Sequence, residues 1–121
     1  MTDGMTVYIV EDDGPLRDSL VALLESEGFE AAGFASGPEF LSGFHPAGTS
    51  CLILDVDTPG ESGEGLLRLL GDRPHHLPVL ALTMRTNEEA VERFLALGAD
   101  SVFPKLSDPS VLIARIRELD A

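Results

Sequence analysis

Cys51-Leu52-Ile53-Leu54-Asp55-Val56-Asp57-Thr58-Pro59-Gly60 is the stretch whose reading decides the fold. An uncharged, apolar run leads straight into a carboxylate, and a Pro-Gly breaker follows shortly after. A run this short, bounded by turn chemistry, reads as a strand buried on both faces, as inside a parallel sheet. A carboxylate leaving such a strand stands where open α/β sheets place their ligands, outside the carboxyl ends of the strands. Asp55 is therefore the residue around which a pocket is expected.

Working outward, Val7-Tyr8-Ile9-Val10 is a second short β-rich run, and it ends in Glu11-Asp12-Asp13. Pro15 suits a first helical position, and Leu16, Leu20, Val21, Leu23 and Leu24 keep helical spacing up to a stop at Gly28. Phe29 to Ala35 reads as a weak strand, and Pro38 to Phe44 as a brief helix with Phe40 and Leu41 facing inward. The loop His45-Pro46-Ala47-Gly48 precedes the central strand. Beyond it, Gly60, Gly63 and Gly65 are too irregularly spaced for a phosphate-binding fingerprint and read as a flexible loop. Leu66, Leu67, Leu69 and Leu70 form a helix ending near Gly71. Leu77 to Leu82 is another buried strand, leading to Thr83. Thr86 and Glu89 have capping-box spacing and open a helix with Val91, Phe94 and Leu95 on one face, Phe94 and Leu95 being core. Ser101 to Phe103 is a last strand before Pro104-Lys105, and Ser107-Asp108-Pro109 starts a closing helix with Leu112, Ile113, Ile116 and Leu119 on one side.

Strand and helix thus alternate, which implies a mostly parallel sheet with helices on both faces and right-handed crossovers. For five strands the natural solution is a doubly wound α/β sheet in the flavodoxin-like order 2-1-3-4-5. No repeat or linker interrupts the pattern, and a single domain over residues 1–121 is expected.

Composition narrows the function. No apolar run approaches the ~20 residues needed to cross a bilayer, and Met1-Thr2-Asp3-Gly4 lacks the basic start and apolar core of a secretory signal. The one cysteine, Cys51, falls in the expected buried strand and reads as a structural thiol, so the cytoplasm is the expected compartment. A formal charge of −13, with only eight scattered Lys and Arg, argues against nucleic acid as a direct partner.

At the strand exits stand Glu11 and Asp12 after the first, Asp55 after the third, Thr83 after the fourth and Lys105 after the fifth. In the order 2-1-3-4-5 the first and third strands are neighbours, so Asp12 and Asp55 are expected in one cleft. Converging carboxylates repel one another unless a cation intervenes. A hard divalent ion with oxygen ligands fits, and magnesium takes only one or two carboxylates directly and keeps several waters. Lys105 adds a positive charge and Thr83 a hydroxyl donor, and such a set can hold the oxygens of a phosphoryl group.

Each residue also has a plainer reading. Glu11-Asp12-Asp13 taken alone is a solvated acidic turn before a helix, with Asp13 at the helix start. Asp55 alone is a strand-end turn former, Thr83 a loop hydroxyl and Lys105 a surface lysine. Their convergence favours the metal and phosphate reading. His45, His75 and His76 lie in Pro-bounded loops and make a poor metal site.

Over essentially its whole length the chain resembles the receiver domain of two-component response regulators. The resemblance rests on Glu11-Asp12 after Tyr8-Ile9-Val10, Leu52-Ile53-Leu54-Asp55 with Pro59-Gly60 behind it, Thr83 after Pro78-Val79-Leu80, Gly98-Ala99 and Lys105. Leu16-Arg17-Asp18-Ser19-Leu20 and Phe34-Ala35-Ser36 followed by Glu39-Phe40-Leu41 look closest to the FixJ-type group. The resemblance implies that Asp55 is the phosphoacceptor. It implies that Asp12 ligates magnesium, that Glu11 acts through water and that the main-chain carbonyl of Asp57 completes the metal site. Thr83 and Lys105 would contact the phosphoryl oxygens, and Asp57 stands where a side chain tunes phosphate lifetime. The implied donor is a phosphohistidine on a histidine kinase or phosphotransfer protein. Such a domain is not an enzyme beyond catalysing its own phosphorylation and dephosphorylation. Its output is expected through the face of the fourth helix, fifth strand and fifth helix, toward a partner protein or an output domain; a homodimer is also open.

Three positions depart from the family pattern. Val102 stands where an aromatic switch residue is usual, Leu106 replaces the proline after the lysine and puts a cis peptide there in doubt, and Met84 replaces the usual Ala or Gly. These departures motivate a second expectation, a receiver-like docking module that works without phosphorylation. A flavin-binding flavodoxin is disfavoured, because the first loop is acidic where a phosphate cradle would be needed.

Overall fold

The computed structural model describes residues 4–44, 48–72, 77–105 and 108–120. The loop histidines His45, His75 and His76, and Leu106 with its peptide bond, lie outside the described residues.

Among the described residues five strands alternate with five α-helices: β1 (Thr6–Val10), α1 (Gly14–Ser26), β2 (Glu30–Phe34), α2 (Gly37–Gly43), β3 (Ser50–Asp55), α3 (Glu64–Gly71), β4 (Val79–Thr83), α4 (Glu88–Ala96), β5 (Ser101–Pro104) and α5 (Pro109–Asp120). They form one parallel sheet in the order β2-β1-β3-β4-β5, which is the architecture the alternation implies.

The uncharged run in β3 follows from its place in the middle. Successive strand side chains point to opposite faces, and each face of this sheet carries an apolar layer. Cys51 and Ile53 join Val7, Ile9, Leu80 and Leu82 under Leu20 and Leu24 of α1 and Leu112 and Ile116 of α5. Leu52 and Leu54 join Ala81 on the other face, under Phe40 of α2, Leu66 and Leu67 of α3, and Phe94 of α4. From Cys51 onward neither face of β3 meets water, so none of these positions tolerates a charge until Asp55. The Cys51 thiol is fully buried, and burial pushes its pKa up to about 12, which makes it an inert packing group.

Helix ends are set by local chemistry. Asp13 caps α1 by accepting a hydrogen bond from the Leu16 amide, and Gly28, at φ 95°, ends the turn after it. The cap of α4 differs from expectation. Asn87, not Thr86, accepts from the Ala90 amide, one residue further along, because an Asn side chain caps at least as well as a Thr. Leu95 is likewise not core: at 44% exposure it faces solvent while Phe94 is fully buried, since adjacent helical residues diverge by about 100° and only one of the pair meets the sheet. The Gly-rich stretch before α3 is a packed corner rather than a flexible loop. A Cβ on Gly63 would lie 1.8 Å from the Thr58 carbonyl oxygen, and one on Gly37 2.0 Å from that of Glu61.

Phe40 is the centre of an aromatic cluster, with ring centroids 5.7 Å from Tyr8, 5.6 Å from Phe34 and 4.9 Å from Phe44. Its truncation leaves a void that rigid strands on one side cannot close. Phe40→Ala is expected to cost about 3–5 kcal/mol, read as a lower urea midpoint at an unchanged slope.

Candidate functional site

The strand order brings the carboxyl end of β1 beside that of β3. Glu11 and Asp12 follow β1 directly and Asp55 is the last residue of β3, so carboxylate oxygens of all three fall within 4.8 Å of one another. Glu11 and Asp55 are buried, at 1% and 2% exposure, whereas Asp12 faces solvent. Lys105, just past β5, reaches across from the far side of β4. Its Nζ lies 2.5 Å from Asp55 Oδ2 and 3.9 Å from Glu11 Oε1, and its amide donates to the Thr83 carbonyl at 2.9 Å.

The remaining bonds leave one atom stranded. Asp55 Oδ1 accepts from the Asp57 amide at 3.0 Å, and Glu11 Oε2 from the Asp13 amide at 3.2 Å. Glu11 Oε1 is buried with no hydrogen-bond partner among the described residues. Burial above all, with the charge of Asp55 adding to it, raises the Glu11 carboxyl to about 7, against the opposing pull of the Asp13 amide and Lys105. The hydrogen bond to Asp55 raises the Lys105 ammonium in turn, outweighing the opposing effect of burial. A buried acceptor without a donor, in a nest of oxygens with one exposed carboxylate at its mouth, fits a hard oxygen-seeking cation.

Two arrangements were not legible in the chain. Arg17, one turn into α1, donates from Nη1 to the Glu11 carbonyl at 2.7 Å and so fixes the acidic loop. The Asp57 side chain turns away from the acidic cluster. Its Oδ1 accepts from the Thr83 hydroxyl at 2.8 Å and its Oδ2 from the Met84 amide at 2.8 Å, while Arg85 approaches Oδ1 with Nε at 3.3 Å and Nη2 at 3.2 Å. Burial opposes the charge on Asp57, but these donors outweigh it and hold the carboxyl below its ordinary value. Arg85 in turn lies 5.0 Å from the centroid of the Phe94 ring. Only the spacing of Asp57 and Arg85, each two residues past a strand-end site residue, hints at this in the sequence.

Thr83 itself is fully buried at the end of β4. Met84 is 60% exposed beside it. Val102 is half-buried and packs against the layer formed with α2, α3 and α4.

Residues 7–117 match the response regulator receiver domain. The chain belongs to that family. Among curated relatives of this receiver domain, the transcriptional regulatory protein FixJ of Azorhizobium caulinodans is 32% identical over 97% of the chain and 56% of its own length. The sensory transduction protein RegX3 of Mycobacterium tuberculosis is 41% identical over 93% of the chain and 49% of its own length. The receiver domain thus spans about half the length of these relatives. Among solved structures, a CheY-like response regulator receiver domain protein from Methanospirillum hungatei superposes with a TM-score of 0.83 at 27% identity, covering 98% of this chain and 95% of that one. The described residues hold no helix long and apolar enough to cross a membrane.

Proposed function

We propose that this receiver domain takes a phosphoryl group onto Asp55 from a phosphohistidine on a histidine kinase or phosphotransfer protein. The observation that carries the reading is the pairing of a buried Asp55 with Lys105 Nζ at 2.5 Å inside a nest of carboxylates. A carboxylate so placed, at the carboxyl end of the central strand, has a fixed cation beside it, the arrangement phosphoryl transfer asks of a protein. In the step, an Asp55 carboxylate oxygen forms a bond to phosphorus while the donor's P–N bond breaks and the imidazole leaves with that electron pair. The Lys105 ammonium meets the charge on the transferred group, and the Thr83 hydroxyl is the second donor for its oxygens. Glu11 and Asp12 with Asp55 would hold a magnesium ion, assisted by the Asp57 main-chain carbonyl. That ion supplies neutralisation of the charge that gathers on the phosphoryl oxygens.

The domain catalyses only its own phosphorylation and dephosphorylation on this reading, in the cytoplasm, and passes the change to an output domain or partner through α4, β5 and α5, or through a homodimer built on that face. Residues 1–121 act as a single receiver domain.

The test is a weighing. After incubation with magnesium and phosphoramidate, the intact chain is expected to gain one phosphate, and a chelator is expected to prevent the gain. No gain with any small donor would sink the reading and favour a docking module that works without phosphorylation.

A further inference from the structure

The Thr83 hydroxyl has one proton, and in this structure it is already committed. It is donated to Asp57 Oδ1 at 2.8 Å, and the hydroxyl oxygen in turn accepts from the Arg85 amide at 2.9 Å. A hydroxyl donates once. Thr83 therefore cannot donate to a group on Asp55 while it holds Asp57. The Asp57 carboxylate is kept in place by donors of its own, the Met84 amide at 2.8 Å and the Arg85 guanidinium at 3.2 Å. Neither of those donors belongs to the acidic cluster, so the Asp57 side chain is held away from it while the Asp57 main chain borders it.

We propose that Asp57 is a resting-state latch on Thr83, an internal anion that occupies the hydroxyl a phosphoryl group on Asp55 has to win. The proposal rests on the reading of Asp55 as the acceptor. Asp57 is a positioning residue here: it touches neither the donor nor the phosphorus, and it acts through the proton of Thr83. The latch also reaches the helices. Arg85, pinned by Asp57, covers the ring of buried Phe94 in α4. Opening the Thr83–Asp57 bond loosens the β4–α4 corner without any aromatic residue at Val102, the position where the expected switch side chain is missing.

The latch predicts a graded and conditional effect. Asp57→Ala frees the Thr83 proton, and the initial rate of phosphate uptake from phosphoramidate at saturating magnesium is expected to rise about tenfold, the size of one charge-assisted hydrogen bond. Asp57→Asn keeps an acceptor without the charge and is expected to fall between Ala and the natural residue. In a Thr83→Ala background there is no proton to hold, and Asp57→Ala is expected to change the rate less than about twofold, a coupling that a double-mutant cycle isolates. A second readout needs no phosphate. The Met84 amide, deprived of its acceptor, is expected to exchange its hydrogen faster in Asp57→Ala than in the natural chain.

Failure is separable from failure of the underlying reading. If the natural chain is phosphorylated and Asp55→Asn is not, an unchanged or slower Asp57→Ala overturns the latch alone. A tenfold gain that persists in Thr83→Ala also overturns it, since removal of a nearby negative charge then explains the gain. If neither the natural chain nor Asp57→Ala takes up phosphate, the acceptor reading and the latch fall together.

Discussion

Asp55→Asn is expected to take up phosphate from phosphoramidate at least about 10³-fold more slowly than the natural chain, the scale on which removing a covalent nucleophile acts. The argument depends on what the substitution keeps. An Asn side chain has the shape of Asp, can still accept the Asp57 amide now 3.0 Å from Asp55 Oδ1, and still fills a site that is 2% exposed. What it loses is the negative charge and with it the nucleophilic oxygen. The fold should not suffer. Asp55 sits among carboxylates whose repulsion helps raise Glu11 to about 7, and removing one charge relieves that repulsion. Lys105 loses its nearest partner but retains Glu11 Oε1 at 3.9 Å. In magnesium-free buffer the variant is therefore expected to melt at or above the temperature of the natural chain. Intact mass and a thermal melt on the same sample decide the matter. A folded Asp55→Asn that still gains a phosphate would transfer the acceptor role to another carboxylate of the cluster, and a variant that melts well below the natural chain would mean that Asp55 is a structural ion-pair member first.

How far the sequence could go is seen by comparing Asp55 with Asp57. The position of Asp55 follows from hydrophobic patterning. A run with no charge has to be a central strand, the alternation of elements fixes a parallel sheet, and the strand order then brings Glu11, Asp12 and Asp55 to one edge. Each step uses burial, which side-chain composition reports directly. The side chain of Asp57 is different. Whether it joins the acidic cluster or turns toward Thr83 depends on a contest between donors on the β4–α4 loop and any cation, and both destinations are polar. Hydrophobic periodicity carries no information about that contest. The same limit explains the cap of α4, where Thr86 and Asn87 both have capping side chains and one residue of backbone geometry chooses between them. It also explains Leu95: its apolar character matched a helical stripe, but the angular difference from Phe94 put only one of the two against the sheet. The packed glycines Gly37 and Gly63 were hidden for another reason. Their role is to let backbone approach backbone, and no side chain records it.

Lys105→Met should expose the electrostatic cost that the site carries before any phosphate arrives. Two buried carboxylates, Glu11 and Asp55, have the Lys105 ammonium as a shared cation, and the lysine side chain is itself only 21% exposed. Taking one partner from a buried ion pair leaves an uncompensated buried charge, and a cost of about 2–3 kcal/mol is expected after allowance for the partial exposure of the lysine. The pH dependence has a definite sign. The Glu11 carboxyl is raised in the folded chain, from 4.5 to about 7. Its folded form binds a proton that the unfolded chain has already lost, so its contribution to stability is full below pH 4.5 and is lost as pH rises toward 7. Without Lys105 a cation that lowers this value is gone, and the window moves upward. In magnesium-free buffer the penalty of Lys105→Met is therefore expected to be smaller near pH 5 than near pH 8. Magnesium at a hundredfold excess over its dissociation constant for the natural chain adds about 2.7 kcal/mol to that chain. At the same concentration it should add more to the variant, whose carboxylates have lost the Lys105 counter-charge. Urea midpoints at the two pH values, with and without magnesium, give all four corners of the comparison. A penalty that is equal at both pH values, or that magnesium leaves untouched, would mean that Lys105 supports the fold through packing of its alkyl stem rather than by balancing the charge on Glu11 and Asp55.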